Sequence, residues 1–172
     1  MKHLTLLVLL TACGTTKDYR QQEPQAPQEE LPKGLALELQ DTVKEWVNDC
    51  YSMGYYIDCD AARDTVDTYT IVDSYEGDKD TVGRCDLFGY GAYITRRVVS
   101  VRRDILDEPN TLRAVFAHEM GHCAFLIDHT KDGLMAPYML GEQTLEKKLG
   151  YMLRTFYAEL FTASLPRIEQ YD

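Results

Sequence analysis

No apolar run in this sequence reaches the roughly 20 residues that a membrane-spanning helix needs; the stretch from Leu4 to Leu10 is too short. Basic residues are in deficit, 18 Lys and Arg against 28 Asp and Glu, for a formal net charge of -10. With no long run of either sign, that balance repels a polyanion and argues against nucleic-acid binding. None of the cysteines sits in a CxxC pair, which disfavours a tetra-cysteine zinc site. No internal repeat breaks the chain into a solenoid. Histidine is the scarcest informative residue: there are four, and three of them fall between His118 and His129. What is present is ordinary for one modest domain with a real core, 172 residues of which 45% are hydrophobic.

The chain starts Met1, Lys2, His3 and then turns apolar, the order of a secretory signal. Leu10, Thr11, Ala12, Cys13 and Gly14 resemble a bacterial lipobox. That resemblance implies a signal peptide over 1–12, a diacylglycerol on Cys13, and a protein held to a bacterial membrane by its lipid. Gly14 is similar to the sorting residue of lipoproteins sent to the outer membrane in a Gram-negative host. Residues 13–34 are rich in Gln, Glu and Pro with almost nothing to bury, and are expected to form a flexible tether. Residues 35–172 then form the folded domain. Four further cysteines, Cys50, Cys59, Cys85 and Cys123, suit an oxidising compartment. Of three possible pairings we favour Cys50 with Cys59, whose short loop closes easily, and hence Cys85 with Cys123.

Periodicity supplies the elements. Leu35, Leu39, Val43, Trp46, Val47 and Cys50 recur at helical spacing and predict a helix over 35–51. Val66, Tyr69, Ile71, Val72 and Tyr75 predict a strand over 65–75, closed by Glu76, Gly77 and Asp78. A second strand is expected over 92–106, with Arg96, Arg97, Arg102 and Arg103 as its solvated face or edge protection. Asp107 to Thr111 supply turn and N-cap chemistry for a helix over 112–126, and a last helix is expected over 142–160. The fold class is α+β.

The chemistry lies on the fourth of these elements. His118, Glu119, Met120, Gly121 and His122 form an HExxH pattern. Residues four apart on a helix stack on one face, so two imidazoles converge on one metal ion while Glu119 lies beside them as a general base. The stretch from His118 to Tyr138 resembles the metzincin zinc proteases, whose pattern runs HExxHxxGxxH and is followed by a methionine-bearing turn. It departs twice: Phe125 stands where the glycine belongs, and Asp128 stands where the third histidine belongs, with His129 one step later. Either a one-residue insertion makes His129 the third ligand, or Asp128 serves directly, as in snapalysin-like members. Imidazole is the more usual zinc donor, so His129 is favoured. The matrixin-like stretch Gly133, Leu134, Met135, Ala136, Pro137, Tyr138 implies that Met135 supports the metal from below and that Pro137 and Tyr138 border a bound peptide.

The resemblance implies a small zincin domain (N-terminal helix, small mixed sheet, active helix, Met-turn, C-terminal helix), one catalytic Zn2+ and hydrolysis of a protein or peptide substrate. It also implies an edge strand that pairs with the substrate, for which 93–101 is the candidate. Two other readings compete. A gluzincin-type peptidase would take its third ligand from Glu142 or Glu146, and a non-catalytic surface lipoprotein would hold a metal without using Glu119.

Overall fold

In a computed structural model, residues 34–53, 57–90 and 93–164 are described, with side chains as far as 160. The expected signal, Cys13 and the tether lie outside them. The described chain is a mixed α+β structure: a four-stranded sheet and four helices. Strand β1 is Gly34–Leu35, β2 is Thr68–Val72, β3 is Gly83–Tyr90 and β4 is Tyr93–Arg102. Helices α1 (Gln40–Ser52), α2 (Cys59–Asp64), α3 (Pro109–Phe125) and α4 (Glu142–Ser164) complete it. Among the described residues no helix is long and apolar enough to cross a membrane.

The sheet runs β1-β2-β4-β3, parallel except for β3, which is antiparallel to β4. Alternation sets its two faces. Tyr69, Val99 and Val101 are fully buried and join Val43, Trp46, Val115, Phe116, Met120, Leu145 and Leu153 in one core. Two of the buried tyrosine hydroxyls find carbonyls: Tyr69 Oη donates to Arg63 O at 2.8 Å, and Tyr75 Oη to Ser100 O at 2.9 Å. Both favoured disulfides are present, Cys50–Cys59 and Cys85–Cys123. The first joins α1 to α2, and the second ties β3 to the last turn of α3.

Several expectations are corrected. Leu35 belongs to β1, where it pairs with Tyr69, so the first helix starts only at Gln40 after a 3-10 turn over Leu37–Leu39. The helix α2 is too short for its period to register in the sequence, and β3 lacks alternation over Leu87 to Tyr90. The strand expected at the sheet edge, 93–101, is one only in part: β3 pairs with β4 along its length, and β2 covers its other side from Val98 on. Among the described strands the edge nearest α3 is β3, and its Gly83 approaches Glu119 so closely that a Cβ there would lie 2.8 Å from Glu119 Oε1.

Of the four arginines expected on the solvated face, Arg96 and Arg103 are exposed, whereas Arg97 and Arg102 bond to carbonyls. Arg97 Nη1 donates to Cys123 O at 2.5 Å and Ala124 O at 3.3 Å, supplying a cation and donors where the α3 carbonyls end. Arg102 reaches Lys79 O and Thr81 O, and Arg103 pairs with Asp73. At the other end of α3, Pro109 occupies the first turn and Glu108 makes no side-chain cap. The cap comes from a distant helix: Glu142 Oε2 accepts from Thr111 N and Oγ1, both at 2.8 Å, and Oε1 from Asn110 Nδ2 at 2.6 Å.

Candidate metal centre

Helix α3 is buried almost all round, which is why its apolar residues show little one-sided pattern. Within it His118 and Glu119 are 7% and 6% exposed. Such burial needs partners. His118 Nδ1 lies 2.7 Å from Leu134 O, and His122 Nδ1 lies 2.5 Å from Ile127 O. A carbonyl can only accept, so each ring donates its Nδ1–H, and each Nε2 keeps a free lone pair.

Those lone pairs converge. His118 Nε2 is 3.1 Å from His122 Nε2 and 3.3 Å from His129 Nε2. Two unprotonated nitrogens at that distance repel, and a cation between them turns the repulsion into ligation. The edge of a tetrahedron with metal–nitrogen bonds of about 2.0–2.1 Å is about 3.3 Å. The donor set therefore fits a small divalent ion, and the three histidines could hold one. Burial first, and the neighbouring rings after it, push the His118 imidazole down to about 4 despite its bond to Leu134, while burial lowers His122 as well. Both rings are thus neutral, the form that ligates, over the physiological range.

The third histidine arrives through backbone geometry. Helix α3 ends at Phe125, which packs on Trp46 with ring centroids 6.3 Å apart. Leu126 then adopts the left-handed conformation, φ 56° and ψ 38°. Its N–H bonds to His122 O, the single bond of an αL ending, and the Ile127 N–H reaches over the turn to Gly121 O, both at 3.1 Å. In the metzincin pattern a glycine makes this turn three residues after the second histidine. Here the left-handed residue falls one later, and so does the histidine, so the interval from turn to ligand is unchanged. Asp128, the alternative donor, is exposed and lies outside the converging cluster.

Met135 is 3% exposed and packs on α3 at Gly121. The contact explains Gly121, where a Cβ would lie 2.5 Å from Met135 Sδ. A bond from Thr130 N to Met135 O, 2.9 Å, closes the loop that carries His129. Pro137 and Tyr138 line an open cleft of about 1270 Å³ together with all three histidines, Glu119 and β3. Glu142 is held at the first turn of α3, about 10 Å along the axis from His118, and neither it nor Glu146 is among the residues lining the cleft.

Glu119 faces β3, accepting the Cys85 N–H. Burial drives its carboxyl up to about 8; that bond draws it down and the charge of Asp86 adds to the rise. Sequence reasoning missed Gly83, Leu126, Arg97 and the carbonyls of Ile127 and Leu134. Every residue has a carbonyl, so no sequence signal marks those two. Gly83, opening a run of β-prone residues beside a cysteine, was the one detectable hint. Comparison with protein-family models, with curated proteins and with solved structures finds no match to this chain.

Proposed function

We propose that this chain is an exported, lipid-anchored zinc endopeptidase of metzincin type. One observation carries the reading: three imidazole Nε2 atoms converge beside a buried carboxylate at the floor of an open cleft. A structural metal site needs neither the carboxylate nor the opening. Zinc, when bound, supplies a Lewis acid that lowers the pKa of water and polarises a carbonyl.

The protein's own groups do the rest. His118, His122 and His129 hold the ion, and the carbonyls of Leu134 and Ile127 fix the first two rings in the ligating tautomer. Glu119 takes a proton on its carboxylate from the attacking water and returns it to the leaving amine. A cation close by favours its ionised form, opposing the burial that raises it. Met135 supports the histidines from beneath α3. Pro137 and Tyr138 form one wall of the cleft and β3 the other, and β3, not β4, is the strand whose free edge would pair with an extended peptide. The two disulfides fit an exported protein.

The test compares wild type with Glu119→Gln for zinc content and for cleavage of an unfolded protein such as casein. Both proteins should retain one zinc, and the variant should lose roughly 10³-fold or more in turnover. A zinc-loaded wild type that cleaves no protein or peptide would instead favour a metal-binding lipoprotein without catalysis.

A further inference from the structure

The β3–β4 hairpin runs past the end of α3. Arg97 caps the helix, and it pairs with Leu87, so everything beyond these two residues overhangs the core. Phe88 faces Arg96 and Tyr90 faces Tyr93 across the ladder; Phe88 and Tyr90, two apart, share a face, and the register shift between Phe88 and Gly89, which leaves Thr95 unpaired, brings Tyr93 onto that face although it lies three residues from Arg96. One face of the overhang therefore carries Phe88, Tyr90, Tyr93 and Arg96. The opposite face carries Leu87 and Ile94, which line the cleft. The aromatic face is unusually open: Tyr90 is 90% exposed, Tyr93 81% and Phe88 49%. Arg96 lies over the Phe88 ring at 5.7 Å.

Charge and position say what covers this face. In a chain with net charge -10, the sequence from Leu87 to Arg97 contains no Asp or Glu, and of its two arginines Arg96 lies on the aromatic face while Arg97 is held at the end of α3. Tyrosine and phenylalanine beside arginine suit the headgroup level of a bilayer, where rings take the apolar side and guanidinium meets phosphate. The sheet supplies the orientation. β1, β2 and β4 are parallel, and Gly34 sits level with Thr68 and Val98. The chain thus enters the sheet at the same end from which β4 projects five further residues, about 16 Å.

We propose that this aromatic hairpin face docks on an anionic phospholipid surface. The placement argument rests on the lipid-anchored reading; the composition and exposure do not. Three rings are too few to anchor a protein alone, so the contact orients the domain and leaves the cleft open beside the bilayer.

The test uses the full chain with Cys13→Ser, which removes the lipid, and co-sedimentation with phosphatidylglycerol vesicles. The protein should bind them, bind pure phosphatidylcholine less, and release in high salt. Tyr90→Ser with Tyr93→Ser should weaken binding at least about tenfold, with circular dichroism and zinc content unchanged. Absence of binding at millimolar lipid, or equal binding by the double variant, overturns the proposal. So does a double variant that loses casein cleavage in lipid-free solution, which makes the face a substrate site, or one that loses self-association, which makes it a dimer contact. Lipidation itself is read separately, from the mass of membrane-extracted wild type.

Discussion

Helix α3 and the loop after it, residues 126–138, build one candidate metal centre by opposite means. The helix offers His118 and His122 from a rigid frame: a disulfide to β3, Arg97 at one end, Glu142 at the other, and a core on nearly every side. The loop offers His129 from an exposed segment held by a left-handed leucine, one closing bond at Thr130 and the buried anchor of Leu134 to Ala136. Two ligands are given by helical repeat and the third by a turn. The difference teaches that the helical pair needs only correct local geometry, whereas the third ligand depends on how the loop is folded back onto the helix.

The comparison breaks most visibly at the third ligand. His129→Ala should weaken zinc binding by roughly 10³-fold, ~4 kcal/mol, while Asp128→Ala should leave it nearly unchanged; competition with a chelator of known affinity reads both. The reverse ranking would return the loop to the other registration. Next comes the contact between the two regions. Gly121→Ala drives a methyl group into Met135, and should cost about 2 kcal/mol in denaturant unfolding and lower zinc affinity with it.

A smaller effect separates the regions by pH in the metal-free protein. Glu119 has a raised folded pKa, so its stabilisation is complete below the unfolded value near 4.5 and is lost as pH rises through about 8. His118 has a depressed one, so its stabilisation is present above 6.5 and is lost as pH falls towards 4. The two slopes oppose each other between about 4.5 and 6.5 and only that of Glu119 remains above. Metal-free wild type should therefore lose about 1–2 kcal/mol from pH 6.5 to 8, and Glu119→Gln should be flat there. Equal slopes in urea titrations of the two proteins would remove Glu119 as the cause. The smallest effect lies at the turn. Leu126→Gly removes the left-handed penalty but adds freedom to the unfolded chain, for a net gain of up to about 1 kcal/mol at unchanged zinc affinity.

The legible parts of this molecule share a property. The helix from Glu142 and the interior strands announce themselves because a repeated environment imposes a repeated residue choice, and the helix from Pro109 announces itself by the turn chemistry at its start. The strand β3 escaped because its exposed half, Leu87 to Tyr90, shows no alternation between apolar and polar. The β4 arginines were read as surface because a sequence cannot show that a helix ends within reach of one of them. For Glu142, a workable distance along the chain suggested a ligand, and its place against Asn110 and Thr111 made it a cap.

By itself the sequence determined that two histidines and a glutamate share one turn of a helix, because spacing along a helix is fixed by its hydrogen bonds. It also favoured, among three possible pairings, the disulfides found. Only the tertiary structure decided that His129 meets the other two, that β3 forms the edge, and that both ends of α3 are capped from elsewhere. These depend on where separate segments come to lie, and that is set by the packing of the whole core.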